Sequence, residues 1–139
     1  MNYLLDTNVI SELVAKQPSQ HVIDWIDHVA DERIYLSVIT IGELKKGIEK
    51  LPASQRKESL REWFTEELLV RFAGRILPID TAVMLTWGQL TATLEQQGRK
   101  LPAMDSLIAA LALQGGFTLV TRNEADFADT GVTILNPWL

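Results

Sequence analysis

Four acidic residues stand where a solvated charge has little reason to be. Asp6 ends the apolar run Tyr3-Leu4-Leu5 and is followed at once by a hydroxyl, Thr7, and an amide, Asn8. Glu43 lies in Val38-Ile39-Thr40-Ile41-Gly42-Glu43-Leu44, an otherwise apolar helix start. Asp105 opens Asp105-Ser106-Leu107-Ile108-Ala109-Ala110-Leu111, which is apolar nearly all round, and Asp126 closes Thr121-Arg122-Asn123-Glu124-Ala125-Asp126. Carboxylates rarely leave water unless paired, hydrogen-bonded or bound to a metal. Each has a structural alternative. Asp6 would serve as an N-cap, Asp105 would answer the dipole of its own helix, Glu43 would pair with Lys46 or Lys50, and Asp126 would be a turn residue. Their common placement at strand ends and helix starts favours one converging pocket instead. Crowded carboxylates repel one another, and hard oxygen donors suit Mg²⁺ or Mn²⁺. Such ions activate a water and steady the oxygens of a phosphodiester, so the expected chemistry is metal-dependent phosphodiester hydrolysis.

Positioning those acids is the work of alternating strands and helices. Tyr3 to Leu5, Ile34 to Ser37, Ile76 to Ile79, Phe117 to Thr121 and Val132 to Leu135 read as five short strands. Helical spacing recurs between them: Val9 to Val14, Val22 to Val29 behind Ser19, and about Ile39 to Lys50. It resumes from Ser54 through Phe72, from Asp80 or Thr81 to Gly98, and from Ala103 to Gln114, which stops at Gly115-Gly116. This alternation predicts a three-layer α/β/α fold around a mainly parallel sheet of about five strands. Without a repeat, linker or low-complexity stretch, residues 1–139 are expected to form a single domain.

Composition narrows the setting. With no cysteine there are no disulfides and no thiolate metal sites, and a hydrophobic share of 47% argues against disorder. No signal-peptide pattern and no apolar run long enough to span a bilayer are visible, which leads to the expectation of a soluble cytoplasmic protein away from membranes. A net charge of −5 is unusual for a nucleic-acid binder. Placement matters more than the total, because cations held in an acidic pocket would offset much of that charge. Lys45, Lys46 and Lys50 follow Glu43, Arg99 and Lys100 precede Asp105, and Arg122 precedes Asp126. Lys45, Lys46, Arg99, Lys100 and Arg122 are therefore candidate contacts to a phosphate backbone, against the alternative of ordinary solubilising charge. Glu58, Glu62, Glu66 and Glu67, interleaved with arginines, read as a solvated helix face. His21 and His28 lack further ligands, and Trp25, Trp63 and Trp87 read as core or interface anchors.

At these positions the chain resembles the PIN-domain ribonucleases, and within them the VapC toxins of the FitB-like group. The resemblance rests on Leu5-Asp6-Thr7-Asn8-Val9-Ile10-Ser11-Glu12-Leu13, Gly42-Glu43-Leu44 with Gly47-Ile48, Asp105-Ser106-Leu107-Ile108-Ala109-Ala110, Leu119-Val120-Thr121-Arg122-Asn123-Glu124-Ala125-Asp126-Phe127 and Ile134-Leu135-Asn136-Pro137-Trp138. It implies an Mg²⁺-dependent endoribonuclease, with Mn²⁺ as a substitute, acting as the toxin of a type II toxin–antitoxin system. Asp6, Glu43, Asp105 and Asp126 would be both its catalytic and its metal-binding residues. Thr7, Asn8, Thr121 and Asn123 would support them, and Glu124 competes with Asp126 for the fourth place. The resemblance further implies RNA as substrate, a cognate VapB-type antitoxin, and a homodimer within a larger toxin–antitoxin assembly. Two alternatives are a non-catalytic PIN scaffold and another Mg²⁺-dependent phosphoryl-transfer domain. For a receiver domain the acidic pair after the first strand is missing. For a haloacid dehalogenase-type phosphatase, Asn8 stands where a second aspartate is needed.

Overall fold

A computed structural model describes the whole chain, Met1 to Leu139. Its centre is a sheet of five strands: β1 (Tyr3–Leu5), β2 (Ile34–Ser37), β3 (Ile76–Leu77), β4 (Thr118–Val120) and β5 (Ile134–Leu135). The order is β3-β2-β1-β4-β5, and every neighbouring pair is parallel. Parallel neighbours need a long crossover, which fixes where the helices go. The connections from β1 to β2 carry α1 (Thr7–Leu13) and α2 (Gln20–His28). Those from β2 to β3 carry α3 (Val38–Glu49), α4 (Gln55–Glu62) and α5 (Leu69–Arg71). Then α6 (Thr81–Gln96) and α7 (Ala103–Gly115) precede β4, and α8 (Glu124–Phe127) precedes β5.

The pleat divides the core into two layers. Leu5, Ile34, Leu36 and Val120 face one side and meet Val9, Ile10, Val22, Ile26, Leu44, Phe64 and Phe72. Leu4 and Leu119 face the other and meet Val83, Phe127 and the α7 run Ile108 to Ala112. Register agrees with this alternation, since Leu4 pairs with Leu119 and Leu5 with Val120. A strand buried on both faces must read as a continuous apolar run, which is how β1 and β4 read in the sequence.

Several boundaries differ from the sequence reading. β3 and β5 are two residues each, half the expected lengths, because an edge of the sheet needs no more pairing than its neighbour provides. The helical stretch after Ser54 is interrupted by a π-helical segment, Trp63–Leu68, between α4 and α5. Apolar spacing does not distinguish such a wider turn from an α-helix. Asp126 lies in the short helix α8 and not in an irregular turn. The caps behave as the sequence suggests at Ser54 and Asp80, whose side chains accept the N–H of Lys57 and Val83. Ser19 occupies the N-cap of α2, but its side chain makes no capping bond.

Candidate active site

The sheet order has one switch point. From β1 the chain builds outward through β2 and β3 on one side, while β4 and β5 extend the sheet on the other. In open parallel sheets, ligands bind at such a point, beyond the carboxyl ends of the central strands. Asp6 leaves β1 there and Thr121 leaves β4. The Asp6 N–H continues the ladder by donating to the Val120 carbonyl at 2.9 Å. Asp6 is 5% exposed. One of its oxygens, Oδ1, accepts the Thr7 N–H at 2.8 Å, and Oδ2 accepts the Thr121 hydroxyl at 2.9 Å. Thr121 Oγ1 itself accepts the Asn8 side-chain N–H at 3.2 Å and the Asn123 backbone N–H at 3.1 Å. Two incoming donors leave the Thr121 proton free for Asp6 alone.

Asp6 is thus an N-cap of α1 as well as a site candidate. Capping does not neutralise it. Burial pushes its carboxyl above the ordinary value of 3.8, against the lowering effect of the Thr121 and Thr7 hydrogen bonds, and the charges of Glu43 and Asp126 push the same way as burial. Asp105, half-buried in the first turn of α7, is also raised, first by burial and then by Asp6, Asp126 and Glu43. Asp6 and Asp105 therefore both feel the charges of Glu43 and Asp126 across the mouth of the sheet. Only Asp6 is fully buried, however, and Glu43 and Asp126 are exposed. Glu43 makes neither of the ion pairs that would have explained it structurally. Its Oε1 accepts the Thr7 hydroxyl at 2.5 Å.

A cleft of about 570 Å³ opens over these groups, lined by Asp6, Thr7, Asn8, Glu43, Asp105, Arg122, Asn123 and Trp138, with Ser11, Glu12 and Ala15 at its margin. Asp126 is not in that lining and acts on Asp6 and Asp105 through its charge. Glu124, the competing acid, accepts the Asn136 side-chain N–H at 3.1 Å and adds no resolved effect on either aspartate. No three of the His, Asp and Glu side chains close into a group that would hold a metal by themselves. That is compatible with Mg²⁺, which keeps several of its waters and needs only one or two carboxylates directly. The donor set is all hard oxygen, and Asn8 contributes a buried Oδ1 with no hydrogen-bond partner. These residues fit a divalent cation.

The basic residues separate. Arg122 lines the cleft, its guanidinium 5.2 Å from the centre of the Trp138 ring. Lys46 lies along a neighbouring groove of about 620 Å³ that shares Glu43 with the cleft. Lys45 is paired with Glu49 at 3.0 Å, and Arg99 with Asp129. Arg99 and Lys100 border a separate small pocket beside Trp87. Two hydroxyls behind Glu43, Ser37 and Thr40, escaped the sequence reading, although Ser37-Val38-Ile39-Thr40 between a strand end and an acid was visible there. So did Glu12, which borders the cleft and accepts the Ser19 N–H at 2.8 Å.

A parallel sheet with acids gathered at its switch point defines a class of α/β proteins built to hold cations and phosphates at the strand ends. Residues 3–132 match the PIN domain. The chain belongs to the PIN-domain family. It is 40% identical over 135 residues to the toxin FitB of Neisseria gonorrhoeae, covering 97% of each chain. It is 38% identical to the VapC ribonuclease Y4jK of Sinorhizobium fredii, covering 97% of this chain and 96% of that one. Among solved structures it resembles FitAB bound to a DNA fragment, with a TM-score of 0.94, 39% identity, and 99% and 96% of the two chains covered.

Proposed function

We propose that residues 1–139 act as one PIN domain, a metal-dependent endoribonuclease that serves as the toxin of a type II toxin–antitoxin pair. The observation that carries this reading is Asp6: a buried carboxylate, held by Thr7 and Thr121, whose charge is opposed by Glu43 and Asp126. Asp6, Glu43 and Asp105, with Asp126 as the fourth acid, would hold Mg²⁺, for which Mn²⁺ would substitute. The chemistry such a cation supplies is activation of a water and neutralisation of charge on the phosphodiester. The chain's own residues do the rest. Thr121 and the Thr7 N–H fix the orientation of both Asp6 oxygens. Arg122 at the cleft wall offers a bidentate donor to a phosphate, its planar guanidinium lying over the Trp138 ring. Of the five cations named from sequence, Arg122 and then Lys46 are best placed to meet RNA.

Relatives named as a toxin and as a ribonuclease support this function, and a FitAB complex on DNA supports an antitoxin partner and a larger assembly. An acidic cleft suits an arginine delivered by that partner. No helix is long and apolar enough to cross a membrane, in keeping with a cytoplasmic site of action on RNA. Purified protein should cleave single-stranded RNA in Mg²⁺ or Mn²⁺ and stop in EDTA. Losing a metal's supporting partner costs about 10–100-fold, so Asp6→Asn, which alters a ligand itself, should lose at least about 100-fold. Undiminished cleavage in EDTA would defeat the metal-dependent reading.

A further inference from the structure

Glu43 is the one acid of the set that reaches the cleft from an exposed helix surface, and a free glutamate there would sample many rotamers. Behind it stands a file of hydroxyls. Glu43 Oε1 accepts the Thr7 hydroxyl at 2.5 Å, and Thr7 Oγ1 lies 3.0 Å from Thr40 Oγ1. Thr40 is fully buried, and its backbone N–H donates to Ser37 Oγ at 3.1 Å, with the Ser37 hydroxyl 3.4 Å behind Thr40 Oγ1. The direction of the protons follows from the far end. A carboxylate only accepts, so the Thr7 proton is committed to Glu43. Thr7 must then receive the Thr40 proton, and the Thr40 oxygen is left facing Ser37. Meanwhile the Thr7 N–H holds Asp6 Oδ1 at 2.8 Å. One residue therefore ties the Asp6 and Glu43 carboxylates to each other.

We propose that Thr40 is a positioning residue for metal binding: through Thr7 it fixes the Glu43 carboxylate toward the cleft, from a buried place that touches neither substrate nor cation. The inference rests on the proposed role of Glu43 as a metal ligand. Thr40→Val keeps the shape and removes the donor; Thr40→Ser keeps the donor and removes a methyl group.

The test is the Mn²⁺ affinity of the folded protein, read from the free-ion paramagnetic resonance signal, for wild type, Thr40→Val, Thr40→Ser, Glu43→Gln and the double variant Thr40→Val with Glu43→Gln. Thr40→Val should weaken Mn²⁺ binding about tenfold, as loss of a ligand's supporting partner does, while Thr40→Ser stays within about twofold of wild type. In the Glu43→Gln background, Thr40→Val should cost nothing more, which a merely structural role for Thr40 would not produce. Wild-type affinity in folded Thr40→Val, or an equal further loss in the Glu43→Gln background, overturns the proposal. Wild-type affinity in Glu43→Gln overturns it by a separate route, since Glu43 would then hold no metal. If Thr40→Val does not fold, Thr7→Val breaks the same file from the cleft side. It should lose affinity where Thr7→Ser does not, and unchanged affinity in Thr7→Val overturns the proposal equally.

Discussion

At the residue scale, the metal-free site carries charge that the fold would rather not hold. Asp6 and Asp105 both have carboxyls raised above 3.8. As pH falls from neutrality through those raised values, the folded protein takes up protons before the unfolded chain does, so stability rises. Glu49 acts in the opposite sense. Hydrogen bonds from Arg61 and then Lys45 lower it to about 2, so what it contributes is present above its ordinary 4.5 and lost below that. In EDTA, the melting temperature should therefore climb on acidification toward pH ~4.5 and turn over beneath it. Asp105→Asn should melt higher than wild type in EDTA, flatten that climb, and gain less from Mn²⁺. A variant that melts lower yet responds fully to Mn²⁺ would place Asp105 outside the site. Thr121→Val leaves Asp6 buried with one acceptor unmet and should cost about 1–3 kcal/mol in denaturant unfolding. Asp126 lies outside the cleft lining, whereas the meeting of Asp6, Glu43 and Asp105 at one cleft was legible from their apolar neighbours. The hydroxyls were not, because Ser37 and Thr40 look like ordinary cap and helix residues until Thr7 is brought 33 residues along the chain to meet Thr40.

At the scale of elements, the helix starts do the aiming. Ser37, the last residue of β2, is also the N-cap of α3, so no loop intervenes between strand and helix, and Glu43 follows in the second turn. Such direct junctions keep the direction of a helix tied to its strand. At its other end α7 stops on Gly116, at a φ of 69° that favours glycine. Gly115 is needed for a different reason: a Cβ there would come within 2.2 Å of the Phe117 ring, which packs edge-on against Tyr35. Gly115→Ala should destabilise by about 1–3 kcal/mol through overpacking, measured by urea unfolding, although both glycines read alike as helix stops in the sequence. Helices were readable because burial on one stripe leaves a period, and central strands because burial on both faces leaves a continuous apolar run. The π-helical turn at Trp63–Leu68 and the four-residue α8 leave none, since neither is long enough or regular enough to repeat.

At the scale of the molecule, the cleft adjoins an apolar groove through their shared Glu43, and Val38, Ile79 and Met104 in that groove are exposed. A cognate antitoxin should suppress RNA cleavage and the Mn²⁺-induced rise in melting temperature together, with the complex sedimenting well above the toxin alone. Cleavage that persists in such a complex would count against antitoxin control at this cleft. The sheet order itself carries a consequence in time. Asp6 precedes by 115 residues the hydroxyl that orients it, that of Thr121. Its strand β1 is sandwiched between β2 and β4, so the central ladder closes only when the segment from Thr118 onward has joined. Contacts so distant in sequence form late, and synthesis proceeds at about 5–20 residues per second. In a growing chain Asp6, Glu43 and Asp105 thus all emerge before the segment that aligns Asp6, and a product cut short before Thr118 should leave RNA intact, which a cleavage assay on that truncated chain checks.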